Sequence, residues 1–152
     1  MASALSTLKW LANVLIQLWD HDPGATTAKL VSPDGGTTIR YLDMGLYSRF
    51  AVAAYPTVIG GGGLTKLEIV ASSDAAFTAP VVVKDSGVIA ADALGDWAVL
   101  ECTAEEVVQL GDDLQYVAGR LTQATGTDEA AVMYLAKPRF AHKDLTPATT
   151  IA

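Results

Sequence analysis

Turn-forming clusters punctuate this chain at short intervals: Asp22-Pro-Gly24, Ser32-Pro-Asp-Gly-Gly36, Gly60 to Gly63, Asp85-Ser-Gly87, Gly95-Asp96, Gly111-Asp-Asp113 and Thr125-Gly-Thr-Asp128. Between them lie strand-length runs of β-branched and aromatic residues, the pattern of an all-β sandwich or barrel rather than of βαβ units. Candidate strands cover residues 25–31, 37–42, 48–55, 64–72, 80–84, 97–103, 114–121 and 130–136. In Leu64-Thr-Lys-Leu-Glu-Ile-Val70 the side chains of Leu67 and Ile69 alternate with those of Lys66, Glu68 and Val70, which predicts a strand covered on one face.

A single helix is signalled. Thr103-Ala-Glu-Glu106 is a capping box, in which the Thr103 hydroxyl meets the Glu106 amide and the Glu106 carboxylate returns to the Thr103 amide. Val107, Val108 and Leu110 supply a short apolar face, and Gly111 is a natural stop. The predicted fold is mainly β, an antiparallel β-sandwich of jelly-roll type with one short helix and extended terminal arms. Residues 1–13 read as an N-terminal arm or short helix leading into a strand, 14–140 as one sandwich domain, and 141–152 as a C-terminal tail.

Composition narrows the function. With 51% hydrophobic and 18% charged residues, the chain is built to pack and associate. Its formal charge of −7 opposes binding to phosphate backbones, so no direct nucleic-acid partner is expected. The apolar run from Trp10 to Trp19 is too short to span a bilayer and ends in Asp20-His-Asp22 with no small-residue cleavage site. No membrane or targeting segment is expected.

Reactive residues are sparse and scattered. Cys102 stands alone within a strand-like run and reads as a small buried apolar residue. Asp20-His-Asp-Pro-Gly24 carries the beginnings of a calcium loop without its later ligands, and reads as a solvated turn. Gly60-Gly-Gly-Gly-Leu-Thr-Lys66 lacks the Gly-Lys-Ser/Thr ending of a phosphate loop, and reads as a flexible connection able to conform to a partner. No Gly-x-Ser-x-Gly elbow is present, and the pair Asp112 and Asp113 follows a helix end in a turn. No catalytic residue, metal or cofactor is therefore expected.

The segments Arg40-Tyr-Leu-Asp-Met-Gly-Leu-Tyr-Ser-Arg49, Leu67-Glu-Ile-Val-Ala-Ser-Ser-Asp74, Val83-Lys-Asp-Ser-Gly87, Tyr116-Val-Ala-Gly-Arg120 and Arg139-Phe-Ala-His-Lys-Asp-Leu-Thr146 resemble the small virion structural proteins of tailed bacteriophages. The Ala, Thr, Val and Gly richness with free arms is similar to capsid decoration, or cement, proteins. That resemblance implies a β-sandwich, a homodimer or homotrimer, a virion location and the major capsid protein or other virion proteins as partners. It carries no site motif.

The candidate interface residues are Trp10, Leu11, Leu15 and Trp19 in the N-terminal apolar run, Gly61 and Gly62 in the glycine loop, and Phe140 and Leu145 at the C-terminal end. A tail or head-completion role is an alternative on the same resemblance. A carbohydrate-binding module is another, because Trp10, Trp19, Tyr41, Tyr47, Phe50 and Tyr55 crowd the first third of the chain and could form a platform. A small hydrolase is the third class left open.

Overall fold

The computed structural model describes residues 15–21, 28–32 and 37–139. Among these described residues nine strands and one helix follow in chain order: β1 (Leu15–His21), β2 (Lys29–Leu30), β3 (Leu42–Asp43), β4 (Tyr47–Val58), β5 (Leu64–Ser72), β6 (Val81–Asp85), β7 (Ala98–Thr103), α1 (Ala104–Leu110), β8 (Tyr116–Gln123) and β9 (Glu129–Pro138). All pairings are antiparallel. The front sheet runs β1-β9-β4-β7, and the back sheet runs β2-β8-β5-β6 with β3 also paired to β8.

Apart from β3, the strands form four successive arches, β1/β2, β4/β5, β6/β7 and β8/β9, each with one strand in either sheet. The arches stand side by side in the same order in both sheets. This wiring is that of a jelly roll, and it makes the fold a β-sandwich of the expected kind.

Alternation supplies the core between the sheets. Phe50, Val52, Ala54, Val132 and Tyr134 from the front meet Leu67, Ile69, Val117 and Leu121 from the back, all buried in one cluster. Phe50 lies edge-on to Tyr134, with centroids 4.9 Å apart and planes at 89°. The Tyr134 hydroxyl crosses the core to accept the Gly119 amide at 2.7 Å and donates to the Arg40 carbonyl at 3.0 Å. The approach is close at Gly119, where a Cβ would stand 3.0 Å from Val52, 3.1 Å from Val31 and 3.3 Å from the Tyr134 hydroxyl, so that a side chain there would make these neighbours give way. Pro56 lies in β4 past Ala54, where pairing with β7 ends, and opposite Ala130 of β9 at the edge of a register shift, the kind of place in which a sheet tolerates proline.

Helix α1 packs against β4, β6 and β7. Its capping box forms as expected: the Glu106 amide donates to Thr103 Oγ1 at 3.2 Å, and the Thr103 amide donates to Glu106 Oε2 at 2.9 Å.

Two expected strands shrink. Of 25–31 only Lys29–Leu30 pairs in β2, with residues 22–27 outside the described set. Of 37–42 only Leu42 enters a strand, because the chain folds back so that the Arg40 amide donates to the Val31 carbonyl at 2.9 Å. The expectation that β5 is covered on one side only is also corrected. Glu68 and Val70, on its outward positions, are as buried as Leu67 and Ile69. The cover is a second small cluster in which Val70, Phe77 and Ala118 pack with Leu30, Ile39 and Tyr116.

Candidate functional site

The reactive side chains are absorbed into the framework. Cys102 is buried on β7, and burial, followed by the neighbouring Glu106 carboxylate, pushes its thiol up to about 12. His21 ends β1 and is 1% exposed, with Nδ1 accepting the Ser32 amide at 3.3 Å. It is therefore part of the interior and not of a solvated turn, because β1 carries it into register with buried Ala130. Glu106 is occupied by its cap and by Lys84, whose ammonium lies 2.6 Å away and lowers the carboxyl pKa. Asp112 and Asp113 are exposed in the turn after α1. Among the described residues, no three His, Cys, Asp or Glu side chains are grouped to hold a metal ion.

The most elaborate polar centre is one that sequence reading treats as an ordinary turn. Asp128 is fully buried between the β4/β5 and β8/β9 arches. Its Oδ1 accepts the amides of Gly60 at 2.8 Å and Gly61 at 3.0 Å, and its Oδ2 accepts the Thr125 amide at 2.7 Å and hydroxyl at 2.8 Å. Burial by itself would raise this carboxyl; the convergent donors, Gly61 first, outweigh it and hold the pKa well below the ordinary range. The glycines are thus a close crossing rather than a flexible connection. Cβ atoms at 60 and 61 would collide with Thr127 and Thr125, and Gly63 has φ +67°.

The candidate interface residues separate. Trp10, Leu11, Phe140 and Leu145 lie outside the described residues. Leu15 and Trp19 belong to β1, an edge strand of the front sheet, in register with Ala136 and Val132. Gly61 and Gly62 lie in the β4/β5 arch, and Leu15 pairing with Ala136 places the start of β1 beside the end of β9. The start of β1 and the end of β9 therefore share one end of the front sheet.

The surface that sequence reasoning missed is the outer face of this front sheet. Along β9, buried Ala130, Val132, Tyr134 and Ala136 alternate with outward Ala131, Met133 and Leu135, which are partly exposed. Neighbouring β4 adds Ala51, Ala53 and Tyr55, paired across the ladder with Leu135, Met133 and Ala131. On the far margin Val99 and Trp97 are 61% and 57% exposed. Both parities of β9 being apolar was the available signal: Glu129-Ala-Ala-Val-Met-Tyr-Leu-Ala-Lys137 is not a one-face pattern.

The aromatic residues do not share one plane. Phe50 is in the core, Tyr55 stacks on Trp97 at 4.7 Å with planes at 37°, and Tyr41 meets Tyr116 on the back sheet at 83°. Beside α1 an open cleft of about 710 Å³ is lined by Ser48, Arg49, Thr103, Ala104, Val108 and Arg139 among others. The Arg139 guanidinium is already engaged there, donating to the Met44 carbonyl at 3.0 Å and the Tyr47 carbonyl at 3.3 Å.

No helix among the described residues is long and apolar enough to cross a membrane. Compared with protein-family models and with curated proteins, the chain finds no match in either set.

Proposed function

We propose that the protein is a non-enzymatic structural component of a phage virion, a decoration protein that lies on the capsid and bridges neighbouring major capsid protein subunits. The observation that carries this reading is architectural. In the jelly roll the first described residue of β1, Leu15, and the last residues of β9 lie at the same end of the front sheet. That end can sit on a shell while residues 1–14 and 140–152 reach adjacent subunits, and many weak copies on one lattice act together. The sequence resemblance to virion proteins points the same way; jelly-roll architecture alone would not, since one fold hosts many functions.

The test compares particles with and without the protein, and particles carrying the chain shortened after Ala141. Complete particles should survive heating or low ionic strength at which stripped ones release genome. The shortened protein should fold yet detach. Equal robustness of complete and stripped particles, or location of the protein only in the tail, overturns the reading.

A further inference from the structure

We propose that the outer face of the front sheet is a two-fold interface with a second copy of this chain, centred on Met133. This inference concerns self-association and stands whether or not the protein decorates a capsid.

Its basis is the order of outward residues on β9. The exposed Glu129 opens the strand, the partly exposed Ala131, Met133 and Leu135 follow at alternate positions, and the exposed Lys137 closes it. Because β9 lies between β1 and β4, this row runs down the middle of the sheet. A two-fold axis that runs parallel to the sheet and across β9, passing above Met133, turns the two faces toward each other and reverses the row. Glu129 of one copy then meets Lys137 of the other, Ala131 faces Leu135, and Met133 faces itself. An isologous contact needs a self-complementary patch, and a row with opposite charges at its ends and an apolar middle is one.

The flanking strands extend the match. Ala51 and Ala53 on β4 keep the floor low, while Val99 on β7 stands proud at 61% exposure. Arg49 pairs in register with Lys137 and enlarges the basic end, although Glu101, opposite Ala51, lies one row away. Neither Glu129 nor Lys137 has an ion-pair partner among the described residues. Sheets pack face to face at about 10 Å, close enough for such end-on pairs to form.

Charge also argues against the chain's own N-terminal segment as occupant. Residues 1–14 contain Lys9 and no acidic side chain, so they offer no carboxylate to the Lys137 end, whereas a second copy offers Glu129.

The test is sedimentation of the full-length chain with charge and cysteine variants. The wild type should show a reversible monomer–dimer equilibrium, and Lys137→Glu should weaken it about tenfold or more. The double variant Glu129→Lys with Lys137→Glu restores opposite ends and should recover dimerisation to near the wild-type value. Met133→Cys should form a symmetric disulfide on mild oxidation, with Cys102 too buried to compete. A wild type that stays monomeric at every concentration, a charge-swapped pair no better than the single variant, or a Met133→Cys thiol shielded within a monomer each overturns the proposal. The last result would assign the face to another segment of the same chain.

Discussion

The back sheet carries a lid over its outer face, whereas the front sheet carries none among the described residues. On the back, the loop after β5 folds Phe77 down onto Val70 and Ala118. Beside it, Glu68 is 3% exposed and accepts Arg120 Nε at 2.7 Å and Lys66 Nζ at 2.9 Å, with Lys66 also 2.9 Å from Asp85. Arg120, first, and Lys66 hold the Glu68 carboxyl below its ordinary pKa. On the front, the central outward positions are Ala51, Ala53, Val99, Ala131, Met133 and Leu135, of which Ala53 alone is buried, and no described loop lies above them. The difference teaches where apolar strand residues are used within the monomer and where they remain available to another surface.

The largest effect should come from removing the lid. Phe77 is 5% exposed and adopts φ +53°, a left-handed conformation disfavoured for a bulky side chain. It is held there by Asp74, whose carbonyl accepts the Phe77 amide at 3.2 Å and whose Oδ1 accepts the Ala76 amide at 2.9 Å. Burial of the ring must outweigh that strain. Phe77→Ala should cost about 3 kcal/mol in denaturant unfolding, and a loss below about 1 kcal/mol would mean that the back face is not a true second core.

How much of this was legible follows from the range of the interactions. The capping box was readable because Thr103 and Glu106 are three residues apart, and β5 was bounded correctly because Gly63 and Ser73-Asp74 flank a β-rich run. The burial of Glu68 and Val70 was not readable, since alternation reports polarity and not what folds over a face. Phe77 comes from a loop with no periodicity of its own. Asp128 was hidden for the same reason: its Gly60 and Gly61 donors lie 68 and 67 residues earlier. The front face was hidden because outward Ala131, Met133 and Leu135 are as apolar as the core residues they alternate with, so polarity does not tell one side of β9 from the other.

The hydrogen bonds to Asp128 tie together two arches that each cross from one sheet to the other, so breaking them should weaken the sandwich without favouring either face. In Asp128→Asn the amide nitrogen must confront either the Gly60 and Gly61 amides or the Thr125 donors, at a cost of about 2 kcal/mol. The pH dependence has a definite sign. The folded carboxyl titrates below its unfolded value, so the unfolded chain takes up protons first as pH drops below about 4. Its contribution is complete above that unfolded pKa and declines as pH falls through the folded one. Unfolding midpoints between neutral and acid pH should therefore fall less steeply in the variant than in wild type; parallel curves would remove Asp128 from the acid response.

A smaller change is expected from Glu68→Gln. Arg120 and Lys66 retain partial exposure, with 24% and 33% of their side-chain surfaces open, so water compensates both cations in part. We expect a loss of about 1–2 kcal/mol, reduced in high salt, with unchanged self-association. A change in sedimentation behaviour would show that the back face also takes part in assembly.

The smallest effect on stability, and the sharpest discriminator, belongs to Val99→Thr. Threonine keeps the β-branched shape that suits β7 and replaces one outward methyl by a hydroxyl. At a position 61% exposed, the isolated monomer should lose no more than about 0.5 kcal/mol. A dimer that buries this margin must desolvate the hydroxyl, so association should weaken even though the monomer is unaffected. The two readouts need different concentrations, because dimerisation stabilises the folded state by mass action. Unfolding is therefore measured where wild type is monomeric, and sedimentation where it is dimeric. If Val99→Thr unfolds as easily as Phe77→Ala at low concentration, the front face is already covered within one chain, and the contrast between the two sheets disappears.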